Sequence, residues 1–165
     1  MEARPVSASR SQLVRWMGVA DANTAGNVHG GFVMKLCDEA AALAAIKHSR
    51  KRVVTAAMDR MAFLVPIRVG DLLTLSASVN AAWHTSMEVG VRVEAENPRT
   101  GELQHTNTAY LTMVALDDHG DPARVPPLIA ETATEQRRMR EAELRRANRL
   151  AERKQILVDR NRDLA

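Results

Sequence analysis

Cysteine occurs once in the 165 residues, at Cys37, so no intrachain disulfide can form and an oxidised secreted scaffold is ruled out. Aromatic side chains are nearly as scarce, at 3% of the chain. That excludes a surface that stacks nucleic-acid bases on exposed rings, and leaves the core to Ala, Val, Leu and Met. The longest apolar run, Phe32 to Ile46, is interrupted by Lys35, Asp38 and Glu39, which is too short and too charged for a membrane span. Residues 1–10 are polar, lack the apolar core of an export signal, and are expected to be disordered. A protein of the cytoplasm, without membrane contact, is the expectation. Also missing are a phosphate-binding glycine loop, a Ser/His/Asp arrangement and metal-ligand spacing, so covalent and metal mechanisms lose weight.

What is present is one domain's worth of apolar residues, 45% of 18.2 kDa. The net charge of +3 is unevenly placed. From Glu131 onward there are ten Lys/Arg and seven Asp/Glu, against thirteen of each before it. The body is neutral, and a nucleic-acid partner, which would need a basic stripe, is not expected.

Ser11 to Val19 reads as a first strand, and Ala20 to His29 as a loop built on Asp21, Asn23, Gly26 and Asn27. A helix over Gly30–His48, about 27 Å long, is apolar all the way round, the pattern of a helix buried on most sides. Strands follow at Val53–Met58, with a short continuation over Arg60–Val65 stopped by Pro66, then at Leu72–Ala82. Met87, Val89, Val91, Val93 and Ala95 alternate with polar residues and glycine, the plainest period-two signal in the chain. Asn97–Gly101 is a hairpin turn, Glu102–Leu116 returns, and Asp117–Asp121 closes the sheet region. One buried helix among antiparallel strands is an α+β layout whose edge strands call for cover by edge-to-edge dimerisation. The expected division is a domain over 11–121, a Pro-rich linker over 122–129, and a charged helical extension over 130–165 whose last residues fray. That extension reads as a solvated helix docked on one face, or else as a subunit contact or a basic surface near an anionic ligand.

Chemistry concentrates around the helix start. Ionised carboxylates are seldom buried unless paired or functional, and Asp38 and Glu39 lie within the apolar run. Either can also pair with Lys35, so the pattern does not choose between them. Gly30 and Gly31 present unpaired N–H groups at the positive end of the helix dipole, suited to a phosphate or an oxyanion. Asn23 can orient a water or a carbonyl, and His29 is a candidate proton donor or acceptor beside the same turn. Cys37 reads as inert core.

Asp21-Ala22-Asn23-Thr24-Ala25-Gly26-Asn27-Val28-His29-Gly30-Gly31, followed by Met34-Lys35-Leu36 and Asp38-Glu39-Ala40, resembles the acyl-CoA thioesterases of the hotdog superfamily, nearest to the cytosolic or brain-type acyl-CoA hydrolases. The resemblance continues through Asp59–Ile67, Val69-Gly70-Asp71, Thr85–Val89 and Thr108–Ala115, and covers Leu13 to Gly120. It implies a hotdog fold, a long central helix wrapped by a curved antiparallel sheet, here with an extra C-terminal helix. It further implies a homodimer or higher assembly, a trimer of dimers, that hydrolyses fatty acyl-CoA to fatty acid and CoA. Carried over by position, Asp38 becomes general base or nucleophile, Gly30 and Gly31 the oxyanion turn, and Asn23 the group that positions water or thioester. His29 is a secondary candidate, and Arg60, Thr85 and Ser86 are contacts for the CoA moiety, with Arg50, Lys51 and Arg52 also available to its phosphates. CoA enters only within substrate and product; no cofactor and no metal are expected. Two alternatives stand beside this reading. A hotdog hydratase or dehydratase pairs a histidine with a more distant helix acid than the nine residues from His29 to Asp38. A non-catalytic acyl-CoA-binding regulator would need an output segment, and the tail carries no helix-turn-helix cue.

Overall fold

In the computed structural model, residues 1–162 are described; the fraying expected at the C-terminus falls on residues 163–165, outside them. The elements in order are β1 (Arg4–Pro5), β2 (Ser11–Trp16), α1 (Gly30–Ser49), β3 (Arg52–Met58), β4 (Leu72–Ala82), β5 (Ser86–Asn97), β6 (Glu102–Leu116), β7 (Leu128–Ile129) and α2 (Ala133–Arg162). Five strands form a curled antiparallel half-barrel in the order β2-β4-β5-β6-β3, and a separate parallel pair joins β1 to β7. The α+β hotdog architecture expected from the sequence is the one observed.

The alternation along β5 does what its period requires. Met87, Val89, Val91 and Val93 point to the concave face and are fully buried with Leu73, Leu75 and Val79 of β4 and Leu111 and Met113 of β6. Into this face α1 turns Val33, Leu36, Cys37, Ala40, Ala41, Ala44 and Ala45. That is one stripe, not the whole surface. Met34, Leu43 and Ile46 remain 41–45% exposed, so the expectation of a helix buried on most sides is not met within one chain.

The opposite face of the sheet carries α2. Its buried residues are few, Glu135 and Ala142, and charged contacts hold most of the rest. Thr132 and Glu135 form a capping box: the Glu135 N–H donates to Thr132 Oγ1 at 3.2 Å, and Glu135 Oε2 accepts from the N–H groups of Glu131 and Thr132 at 2.9 and 3.1 Å. Burial works against the ionised Glu135, but those N–H groups and Arg10, 2.9 Å away, hold its carboxyl below the usual range.

Three further expectations differ from what is observed. Residues 4–9, expected to be disordered, form β1 and a 3-10 turn in which Val6 and Ser9 are buried. Their partners are distant: the Arg4 N–H donates to Pro127 O at 2.9 Å, and Arg10 reaches Glu135. Arg60–Val65 is not strand, because the β3–β6 ladder ends at Met58–Leu111 and the chain turns away at Asp59, before Pro66. The expected first strand stops at Trp16: the Met17 N–H still donates to Asp71 O at 2.9 Å, but the Met17 carbonyl accepts from Gly70 while the Asp71 N–H turns to Arg68 O, so the paired ladder ends there.

The N-terminal strap closes over the end of α1. His48 is fully buried there, its Nε2–H donating to Pro126 O at 2.9 Å while its backbone carbonyl accepts from the Arg4 guanidinium. Nδ1 is buried without a partner among the described residues. Burial, opposed by the Pro126 carbonyl and reinforced by the Arg4 charge, holds the ring below its ordinary value of 6.5. Once unfolded, the chain binds this proton more readily than the folded one, so stability rises with pH through this window. The urea midpoint is therefore expected to fall as pH drops below 6.5. In His48→Gln the slope between about pH 7 and pH 5.5 should be visibly flatter; an unchanged slope would assign it to other groups.

Candidate active site

The loop before α1 is closed by bridges from Ala22 to Val28 and from Asn27 to Arg68. Within it, Asn23 Oδ1 accepts from the N–H groups of Ala25 and Asn27 at 2.9 and 3.2 Å, an Asx turn continued by Gly26 at φ 80°. The amide nitrogen of Asn23 has no acceptor among the described residues and remains a donor. His29 is the N-cap of α1, its Nδ1 accepting from the Gly31 N–H at 3.1 Å. Gly31 and His29 therefore satisfy each other, which corrects the expectation that both glycines offer free donors. Of the two glycines, only Gly30 keeps an N–H without a partner among the described residues. Phe63 lies 3.4 Å from where a Gly30 Cβ would stand, so a side chain there would press on the ring. Asn23, Asn27, Gly30, Val33, Phe63 and Val65 line one open cavity of about 270 Å3.

Asp38 lies elsewhere. Eight residues beyond Gly30, it is about 12 Å further along the helix axis. Its Oδ1 accepts a hydrogen bond from Thr55 Oγ1 of β3, beside the register shift that makes Ala56 an extra residue in that strand. Glu39 instead faces solvent and pairs with Lys35 at 3.7 Å. The two acids that the hydropathy pattern left equivalent are thus distinct: one is held by a strand hydroxyl, the other lies on a solvated stripe. Within a single chain the Asn23–Gly30 cavity and the Asp38–Thr55 pair stand apart.

The other expected residues are dispersed. Arg60 is 96% exposed at its side chain and reaches Glu152 of α2 at 3.4 Å. Thr85 ends the β4–β5 turn and Ser86 opens β5; their carbonyls accept from the N–H groups of Ala115 and Trp83 at 2.9 and 2.8 Å. No hydrogen bond joins these two to Arg60 among the described residues. Arg50, the left-handed C-cap of α1, lines a broad surface cavity of about 640 Å3 with Lys51, Arg52 and Ile46. Among the described residues no group of three or more His, Cys, Asp or Glu could hold a metal ion, and no helix is long and apolar enough to cross a membrane.

Thr55 was missed by sequence reasoning, which saw it only as a β-branched residue in a strand. Shared parity with Val53 was its one signal, and that names no partner.

Residues 25–102 match the family model described as the thioesterase superfamily. Over 142 residues the chain is 36% identical to the cytosolic acyl coenzyme A thioester hydrolase of Rattus norvegicus, a match spanning 85% of this chain but 37% of that protein. Superposition on the crystal structure of an apo-hexameric acyl-CoA thioesterase gives a TM-score of 0.88 at 40% identity, over 92% of this chain and 97% of that one. The Staphylococcus aureus acyl-CoA hydrolase in complex with butyryl coenzyme A, coenzyme A and coenzyme A disulfide gives 0.82 at 34% identity, over 93% and 96%. Structures of that enzyme also exist with alanine in place of one aspartate, one asparagine and one threonine. The fold and these likenesses are those of the hotdog-fold thioesterase superfamily. The chain belongs to the acyl-CoA thioester hydrolase family of that superfamily.

Cys37 adjoins Asp38 on the core side of α1 and is fully buried. Burial and the neighbouring carboxylate push its thiol up to about 12, so it carries almost no thiolate near neutrality. At pH 8 the folded protein should leave an aromatic disulfide reagent unreacted, whereas the unfolded chain should release one equivalent. Rapid labelling of the folded protein would contradict this burial.

Proposed function

We propose that this protein hydrolyses fatty acyl-CoA to free fatty acid and CoA, at sites completed by a second copy of the chain. The observation that carries the reading is the Asp38–Thr55 pair together with the Asn23–Gly30 cavity. The spacing of Asn23, Asp38 and Thr55, 15 and then 17 residues, equals that of the asparagine, aspartate and threonine replaced in the Staphylococcus aureus enzyme. The family's names supply the substrate class.

In the proposed mechanism Thr55 donates to Asp38 Oδ1 and fixes the carboxylate, leaving Oδ2 to take a proton from water as general base. The alternative of direct attack by the carboxylate uses the same geometry. The thioester carbonyl lies against the Gly30 N–H of the other protomer, where the helix dipole and that donor stabilise the charge developing on oxygen. Asn23 directs its free amide N–H to the carbonyl or the water. Expulsion of the CoA thiolate completes the step without an acid, because a thiol is a far better leaving group than an alcohol. CoA serves only as part of substrate and product. His29 supports the turn as its cap; with Nδ1 committed to Gly31, it is poorly placed for the histidine–acid pairing of a hydratase.

The free edge of β3 and the exposed Met34, Leu43 and Ile46 of α1 are the surfaces that such a partner would cover. Homodimers grouped as a trimer of dimers fit the hexameric state of related structures, and cytosolic relatives support a cytoplasmic location.

Asp38→Asn is expected to lower kcat at least about tenfold, on the order of 1.4 kcal/mol in the barrier, with the assembly unchanged by light scattering. Near-wild-type turnover would remove Asp38 from the mechanism. Inactive Asn23→Ala and inactive Asp38→Ala subunits, unfolded together and reassembled, should regain activity in mixed dimers, each carrying one intact site. Verified heterodimers without activity would overturn the shared site.

A further inference from the structure

On the outer face of the sheet, α2 crosses above a carboxylate with no access to solvent, Glu88 of β5. Arg145 engages it twice, Nε to Oε2 at 3.1 Å and Nη2 to Oε1 at 2.6 Å, while the amide of Asn80 donates to Oε1 at 3.1 Å. The Arg145 guanidinium also lies 3.7 Å above the Tyr110 ring. One turn further on, Arg149 Nη1 donates to both oxygens of Asp59, at 2.9 and 2.7 Å. Its own charge is 3.9 Å from Glu88. The side chains of the Arg149–Asp59 pair are only 26% and 18% exposed, so solvent screens it less than a surface pair.

Asp59 occupies a pivotal place in the chain. It follows the last residue of β3, four positions after Thr55, and its N–H donates to Tyr110 O at 2.9 Å. From it the chain leaves the sheet and delivers Phe63 and Val65 to the wall of the Asn23–Gly30 cavity. Phe63 rests on Gly30, while Leu64 beside it is 77% exposed and contributes little of its own packing to hold the loop.

We infer that Arg149 is a positioning residue for the acyl site: through Asp59 it anchors the start of the 59–66 loop and so sets the cavity wall that meets the substrate's acyl chain. The inference rests on the proposed hydrolysis for its kinetic consequence, though not for its structural one. It gives α2 a role other than shielding the sheet, because the helix reaches the cavity from the opposite face through one side chain. Arg145 seats the helix on Glu88, and Arg149 transmits that seating to the loop.

Two measurements test it on the chain as a whole. Hydrogen–deuterium exchange over residues 59–66 should quicken in Arg149→Met and in Asp59→Asn, with β5 and β6 protected as before; unchanged loop protection would overturn the inference, whatever the enzyme does. In kinetics with butyryl-CoA and palmitoyl-CoA, Arg149→Met should raise KM for the long substrate at least about fivefold while changing kcat for the short one less than about twofold. Arg149→Lys should recover part of the difference. An equal loss at both chain lengths would mean general damage and would also overturn it. If the wild-type protein hydrolyses neither substrate, the proposed function fails, and the exchange result alone decides the anchoring.

Discussion

The distance at which α1 can lie in the curled sheet governs the rest of the fold, and Ala40, Ala41, Ala44 and Ala45 set that distance. All four are 1% exposed or less and face the Val, Leu and Met side chains of β4, β5 and β6. A larger residue at any of them would force the helix outward, at a cost of about 1–3 kcal/mol for overpacking. Close seating has a chemical consequence. It brings Asp38 near enough to β3 for the Thr55 hydroxyl to reach its carboxylate, and it puts Cys37 out of contact with water. Helix packing and the geometry of the candidate base thus follow from the same run of small side chains.

The two faces of the sheet are stabilised by different physics. The concave side is dry and apolar. The convex side buries Glu88, a charge that would be costly alone, and compensates it with the forked guanidinium of Arg145 and the amide of Asn80. Gly90 belongs to this arrangement, because a Cβ there would stand 2.7 Å from the Asn80 amide nitrogen. Such a network adds little net stability over a well-packed apolar interface, but it fixes the register of α2 on the sheet. A helix with so few buried residues needs that register from its charges.

Local patterns made part of this legible. The alternation in β5 identified both faces of its strand, and the glycine turn marked the start of α1 within a residue. Failures share one cause, which is that their partners lie far away in sequence. Arg4, Ser9 and Arg10 look like the residues of a disordered leader because local composition says nothing of Pro127, Val79 or Glu135. Thr55 acquires meaning only from Asp38, and Asp59 only from Arg149. The apolar character of α1 was read correctly and its burial was not. Hydropathy cannot distinguish a face packed by its own sheet from one such as Met34, Leu43 and Ile46, which that sheet leaves exposed. The family resemblance chose Asp38 over Glu39 before any geometry did; the geometry then separated them by hydrogen-bond partner.

A straight helix of this kind cannot bring its own N-terminus and its own Asp38 to one carbonyl, since a rise of 1.5 Å per residue keeps them about 12 Å apart. Bending it would break the alanine contacts that seat it. Two copies related by a twofold axis remove the conflict, because antiparallel helices lay each N-terminus beside the other's midpoint and the arrangement repeats at the second site. Under the proposed function, the exposed flank of α1 and the open edge of β3 are then no defects of an isolated domain. On that proposal they are the surfaces along which the halves of each site would meet. The same covering removes an aggregation-prone edge, so the pressure to protect the sheet and the pressure to assemble the site act on one interface.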